Sequence, residues 1–444
     1  MSVPSGGSPC LQMPRALLMV GILLTATVVN ATPLVEVLEA ARQHPSVRAR
    51  QSQAQAAQLD VQAARQRYLG RGGLFADQTR YDDQRIVGVF YPGQPSPVRL
   101  DDNITRYGIT YSVPIDMFGV IDAARSRALA NQTGAQLLAQ QEVLLRQHQA
   151  LAAYVRQQAS LAQQAALTVQ RQRLQTTLTR IEQELALGRA AGVDLKLAQS
   201  NLARLQADEA RLQGALGDAR AEMMDASGQD YAVDAGMTPA PPWSASSPEQ
   251  TLTVRLAQNR SDALQQAALE AQRGQRPAIN VAADYLHNRG GGGDTPTWAL
   301  GLRLALPLDA SAHTRAQAEA ARAVAAQDEA MASRQTAQRQ FSALHAAYNS
   351  ALADAQALVQ EVAAHDADLR VEQEKWQLGA QTLENLLRQR RDLLDAQFRL
   401  ADARARAVLA WSSAQVLVGV DPESYIAQLQ LAMPHRSTPQ QQAD

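Results

Sequence analysis

Apolar and polar positions along the chain follow two different periods. The stretch Trp298–Leu308 reads WALGLRLALPL, with Trp298, Leu300, Leu302, Leu304 and Leu306 at every second position. Ala299, Gly301, Arg303 and Ala305 fill the gaps. A period of two predicts a strand with one fully apolar face. Arg106–Val113 alternates in the same way, with Tyr107, Ile109, Tyr111 and Val113 to one side and Arg106, Gly108, Thr110 and Ser112 to the other. Ala278–Asn288 sets Ile279, Val281, Ala283 and Tyr285 against Asn280, Ala282 and Asp284. A fourth strand, around Leu74–Tyr81, has a much weaker pattern.

The rest of the chain has helical periods. From Val120 to Leu187 there is almost no breaker, and Leu137, Leu144 and Leu151 recur every seventh residue, as do Leu174 and Ile181. At ~1.5 Å per residue this predicts a helix on the order of 100 Å long with coiled-coil seams. ALGRAAG (Ala186–Gly192) turns the chain, and a return helix is expected from Val193 to Met224. The Pro- and Ser-rich segment 227–250 reads as a connector. The order then repeats: a helix over Pro248–Arg273, the strand from Ala278, a flexible loop GGGGD, and the strand WALGLRLALPL. A second very long helix follows over Ala310–Gln377, then the turn QLGAQT and a return helix from Leu383 to about Leu417. SVPID (Ser112–Asp116) matches ALPLD (Ala305–Asp309), and IEQELALG (Ile181–Gly188) matches VEQEKWQLG (Val371–Gly379). This is an internal duplication, with repeats at 32–226 and 251–419. Pro45 to Gly70 is longer than Asn259 to Pro277 by roughly one heptad, which predicts an irregular helix-to-strand junction in the second repeat.

Composition narrows the chemistry. Apolar residues make up 46% of the chain but aromatics only 4%, so alanine dominates and contacts between helices are thin. The net charge of −1 gives no general attraction to nucleic acid, and none is expected as a partner. The single cysteine, Cys10, excludes an intrachain disulfide framework and a multi-cysteine metal site. Neither lysine, Lys196 or Lys375, follows a glycine, so there is no phosphate-binding P-loop. HExxH and GxSxG are absent, and the seven histidines lack metal-ligand spacing. No catalytic residue, cofactor or metal site is expected, and the chain does not read as an enzyme. His148 and His345, on the long helices, read as packed or solvated side chains. Met13–Ala31 carries a basic residue, an apolar run and Val29-Asn30-Ala31, so 1–31 reads as a signal peptide. The segment 420–444, ending in PHRSTPQQQAD, reads as a partly disordered tail.

The strand faces then need an environment. After Ala31 no run of about 18 apolar residues exists, so helices are not expected to cross a membrane. Strands that alternate apolar with polar or small residues, and carry Trp298, Tyr107, Tyr111 and Tyr285, suit the wall of an outer-membrane barrel. Arg106, Asp284 and Arg303 would then face its lumen. Four strands cannot close a barrel, so several chains must share one.

The duplicated plan, the strand-ending motifs at Pro114 and Pro307, and the helix-turn motifs LGRAAGVDL and LGAQTLENLL resemble the TolC-like outer-membrane efflux factors. The resemblance spans about Thr32–Gly419. It implies a mainly α protomer with membrane β: duplicated long helices in an α-barrel, and four strands given to a shared twelve-strand outer-membrane β-barrel in a homotrimer. The connector and the helical end of the chain would form an equatorial belt. Its expected partners are outer-membrane lipid, a periplasmic adaptor and an inner-membrane pump. The role implied is a passive exit duct in efflux or export. The exit channel of a type I protein-secretion system and a secreted coiled-coil scaffold are the alternatives. By resemblance the adaptor docks at Leu187, Gly188, Gly192 and Val193 in the first repeat and at Leu378, Gly379, Thr382 and Leu383 in the second. Asp194 and Glu384 would line the periplasmic entrance, while Leu387 stands where many such proteins have a second acid. Acids in the first turn of a helix also favour the macrodipole without any gating role.

Overall fold

The computed structural model describes residues 34–88, 93, 98–245 and 247–433. The expected signal peptide, most of the segment from Val89 to Pro97, and the tail PHRSTPQQQAD lie outside the described residues.

The chain opens with α1 (Leu34–Arg42) and α2 (Pro45–Gln66). Pro45 has no N–H to continue a helix, and it sits where that donor would be free in any case. The His44 ring accepts from the Ser46 amide at 3.2 Å and starts α2. Strands β1 (Arg71–Ile86) and β2 (Leu100–Ile115) follow, then α3 (Val120–Ala186) and α4 (Gly192–Ser227). After the connector come α5 (Leu252–Arg273), β3 (Ala278–Gly290), β4 (Gly293–Ala305), α6 (Ala310–Gln377) and α7 (Leu383–Val418). A last helix, α8 (Pro422–Ala432), has no counterpart in the repeat.

The duplication is close. The long helices have 67 and 68 residues, and both return helices have 36. The acids that end the matched motifs have the same local role. Asp116 accepts from the amides of Val120 at 2.6 Å and Asp122 at 3.0 Å. Asp309 accepts from Ser311 at 2.8 Å. Each carboxylate satisfies amides that the first turn of a long helix leaves open. Helices α2 and α5 both have 22 residues, and both repeats have an irregular junction. A 3₁₀ turn at Arg67–Leu69 precedes β1, and a tight turn in which the Arg276 amide donates to the Arg273 carbonyl at 3.0 Å leads to β3.

All four strands form one antiparallel sheet in the order β1-β2-β3-β4. The two repeats meet in its middle, where Ile109 pairs with Tyr285. GGGGD is not a flexible loop. Gly290 pairs with Gly293, and Gly291 and Gly292 make a two-residue turn at φ +54° and +76°. That turn needs positive φ at both positions, which glycine adopts without strain.

The main core lies at the waist of the helices. Leu38 of α1, Leu144 and Leu151 of α3, Met223 of α4, Trp411 of α7 and Tyr425 of α8 are buried together. Connector residues Tyr231, Met237 and Trp243 pack against them. A smaller core near the turns joins Leu174, Ile181 and Ala198 to Leu383 and Leu387. No helix among the described residues is long and apolar enough to cross a membrane.

Candidate functional site: two sheet faces and two helix turns

Pairing decides which side chains share a face, because directly opposed residues point the same way. The register aligns Leu74 with Ile109, Ile109 with Tyr285, and Tyr285 with Trp298. It also aligns Tyr111 with Ala283 and Leu300, and Val113 with Val281 and Leu302. The expected residues Tyr107, Ile109, Tyr111, Val113, Trp298, Leu300, Leu302 and Leu304 therefore form one continuous face. Leu306 follows just beyond β4 and is also exposed. Trp298 is 78% exposed and Leu302 75%. Sequence alternation missed Leu74 on this face, since its strand neighbours Gly72 and Ala76 are small. At ~3.3 Å per residue the run from Trp298 to Leu306 is about 26 Å along the strand, comparable with the apolar band of an outer-membrane barrel.

The aromatic end of this face is ordered. The Tyr107 and His287 rings stack with centroids 5.1 Å apart. Both reach Asp294 at 2.9 Å, the tyrosine hydroxyl donating to the carboxylate. Tyr111 donates to the Leu69 carbonyl, tying β2 to the turn before β1.

The opposite face carries the charged and polar residues, with Phe75, Ile104 and Leu286 among them. Asp77 pairs with Arg106, Arg106 with Asn288, Thr110 with Asp284, and Asn280 with Arg303. Arg106, Asp284 and Arg303 are spread along that face, as alternation requires. Within the protomer β1 and β4 are edges, each paired on one side.

At the far end of the helices lie the two turns. Gly188 at φ +69° and Gly379 at φ +75° close the long helices in the left-handed region, where glycine avoids the Cβ clash. Leu187, Val193 and Leu378 are bare, the last 83% exposed. Gly188, Gly192 and Gly379 are exposed beside them, and so is Thr382. Thr382 caps α7 by accepting from the Asn385 amide at 3.4 Å. Leu383 differs from this set. It is buried among Leu174, Ile181 and Leu387, so it holds the two turns together and offers no surface. Glu384 is exposed and Asp194 half-buried, each in the first turn of its return helix. Leu387 is buried in the same small core, a place that suits leucine and not an ionised acid.

Sequence reading passed over Arg390, three residues on from Leu387. It is buried, and its Nη1 donates to Thr177 Oγ1 at 3.0 Å. Burial first, and then the Arg173 guanidinium, lower it to about 10, so it stays charged at neutral pH. Among the described residues no group of three or more His, Cys, Asp or Glu side chains could hold a metal ion.

Comparison with known proteins addresses the fold. No family model matches the sequence, and no curated protein does. Solved structures do match. The CmeC outer membrane channel of Campylobacter jejuni aligns with a TM-score of 0.74 at 13% identity, covering 96% of this chain and 98% of that one. This chain has the TolC-like fold. The outer membrane protein VceC of Vibrio cholerae aligns at 0.72 with 18% identity, over 87% of this chain and 96% of its own. The open state of the MtrE outer membrane channel of Neisseria gonorrhoeae aligns at 0.71 with 15% identity, over 87% and 88%.

Proposed function

We propose that the protein is a passive exit duct of the bacterial outer membrane. The observation that carries this reading is the sheet: one face apolar and bare, the other carrying the charged and polar residues, with an unsatisfied edge on each side, in a TolC-like fold. Bare edges in lipid leave backbone groups that cost several kcal/mol each. Three copies, each joining β1 to the next copy's β4, would close a twelve-strand barrel and remove those edges. The apolar face then meets lipid, and the face of Arg106, Asp284 and Arg303 lines the lumen.

In this reading the long helices hang as a tunnel into the periplasm. Leu187, Gly188, Gly192, Val193, Leu378, Gly379 and Thr382 form the docking rim for a periplasmic adaptor. An inner-membrane pump supplies the energy. Asp194 and Glu384 lie at the periplasmic entrance. The test is the oligomeric mass of the detergent-extracted protein together with its conductance in planar bilayers. A heat-sensitive trimer with ion-conducting openings is expected. A monomer or dimer without conductance would return the sheet to a soluble role and favour a coiled-coil scaffold.

A further inference from the structure

The seam behind the helix turns holds an unbalanced charge. Arg390 of α7 is only 7% exposed, set among Leu386, Leu387, Leu393 and Leu394. Its Nη1 reaches the Thr177 hydroxyl at 3.0 Å and the Arg173 carbonyl at 3.5 Å, and neither carries charge. Among the described residues no carboxylate pairs with it. Its Nε is buried without a hydrogen-bond partner. Gln170 of α3, 4% exposed, has its Oε1 buried and unpartnered as well. Both side chains line one cavity of about 40 Å³ between α3, α4 and α7. A buried guanidinium with a free donor beside an open space calls for an occupant.

We propose that this cavity binds a monovalent anion of chloride size on Arg390. Size favours a small occupant: at about 10–15 Å³ of such space per water, the opening takes a monatomic ion or a few waters. Charge decides between these. The lining carries Arg204, Arg390 and Arg391 against Asp208 and Asp395. Asp208 is already engaged by Arg211 at 3.2 Å and Arg204 at 4.0 Å. One positive charge is left over. A water would join Nε to Gln170 but leave that charge unmatched. A chloride accepts from Nε and matches it, and Gln170 turned about its amide offers N–H to the same ion. Occupied, the site links α7 ionically to the α3–α4 hairpin behind the exposed turns.

The experiment is crystallographic, on the detergent-solubilised full chain in sodium bromide, with anomalous maps at the bromine edge. A bromide peak within ~3.5 Å of Arg390 Nε is expected. Ordered water there without an anomalous peak overturns the proposal. Thermal unfolding gives a second readout. The wild-type protein should melt several degrees higher in chloride than in gluconate at equal ionic strength, and Arg390→Met should lose that difference. A difference of equal size in Arg390→Met would place the halide effect elsewhere and also count against the site. The bromide map needs no variant, so the proposal stands or falls even if Arg390→Met does not fold.

Discussion

The two repeats build the same elements but spend their apolar residues differently. Helix α3 buries Leu137, Leu144, Leu151, Leu167, Leu174 and Ile181, with a nearly continuous buried run from Ala150 to Val155. It is wrapped by α1, α2, α4, α5 and α7. Helix α6 is one residue longer, yet its buried positions from Ala316 to Ala337 are all alanine. It packs mainly on α5 and α7, and Val324, Met331 and Val359 stay exposed. The strands do not share this contrast, since the matched strands β2 and β4 both present large apolar residues on the exposed face, Tyr107, Ile109 and Tyr111 in one and Trp298, Leu300, Leu302 and Leu304 in the other. A duplicated pattern therefore fixes local structure twice, but the partner of each face is set by the rest of the chain. The long helix of the first repeat finds its partners within the protomer, and that of the second leaves one side bare.

The sharpest way to break that contrast is a charge on the outward face. Leu302→Asp should weaken stable membrane insertion, at a cost of up to ~2 kcal/mol per protomer in lipid, as membrane fractionation would report. Normal insertion would mean the face does not meet lipid. The matching change inside the first repeat is Leu151→Ala. It should cost about 2–5 kcal/mol and lower the melting temperature of the protomer, because a fully buried leucine leaves a cavity. Met331→Asp, on the bare side of α6, should barely move protomer stability, within about 0.5 kcal/mol. It should nevertheless reduce the trimer fraction measured by light scattering. A protomer destabilised as much as by Leu151→Ala would show that this side is covered by the chain itself.

Most of the architecture was legible because its signals are periodic. Leucines seven apart predicted α3, and the unbroken run Ala310–Gln377 predicted α6 to the residue. Three strands were clear because large apolar residues alternate with small or polar ones. β1 was faint because Gly72, Ala76 and Gln78 share the outward face with Leu74, so alternation carried little contrast. α8 was missed because a single short helix has no repeat to support it, and its fixation comes from Tyr425, Ile426 and Leu429 in the waist core. GGGGD looked flexible because four glycines carry no register, and only pairing with the neighbouring strand showed a tight turn. At the helix turns, motif matching found the exposed residues but could not separate bare Leu378 from buried Leu383. That distinction depends on how one hairpin packs against the other.

A smaller effect probes the waist. His148 of α3 meets the Ser412 hydroxyl at 2.6 Å, and Ser412 meets Tyr425 of α8 at 2.6 Å. Burial lowers His148 below its ordinary value of 6.5, with Arg156 acting in the same direction. The unfolded chain therefore binds the proton more readily than the folded one. Stability from this group is complete above about pH 6.5 and is lost as pH falls through the lower folded value. The melting temperature should be flat near neutrality and decline on acidification, and His148→Gln should flatten part of that decline. An unchanged acid limb in the variant would remove His148 from the account and leave α8 held by packing alone.

The smallest effect sharpens the comparison at the entrance. Asp194 and Glu384 both lie in the first turn of a return helix, one residue out of step with each other, and Glu384 is the more exposed. As first-turn acids each is worth about 0.3–1 kcal/mol to its helix, so alanine should cost little stability at either position. If the second repeat is the one that faces the shared passage, Glu384→Ala should shift the reversal potential in a KCl gradient away from cations more than Asp194→Ala does. The double variant should shift it furthest while the trimer stays intact. An unchanged reversal potential with a slightly lower melting temperature would reduce both acids to partners of the helix dipole. A larger shift from Asp194→Ala would instead place the turn of the first repeat at the shared passage.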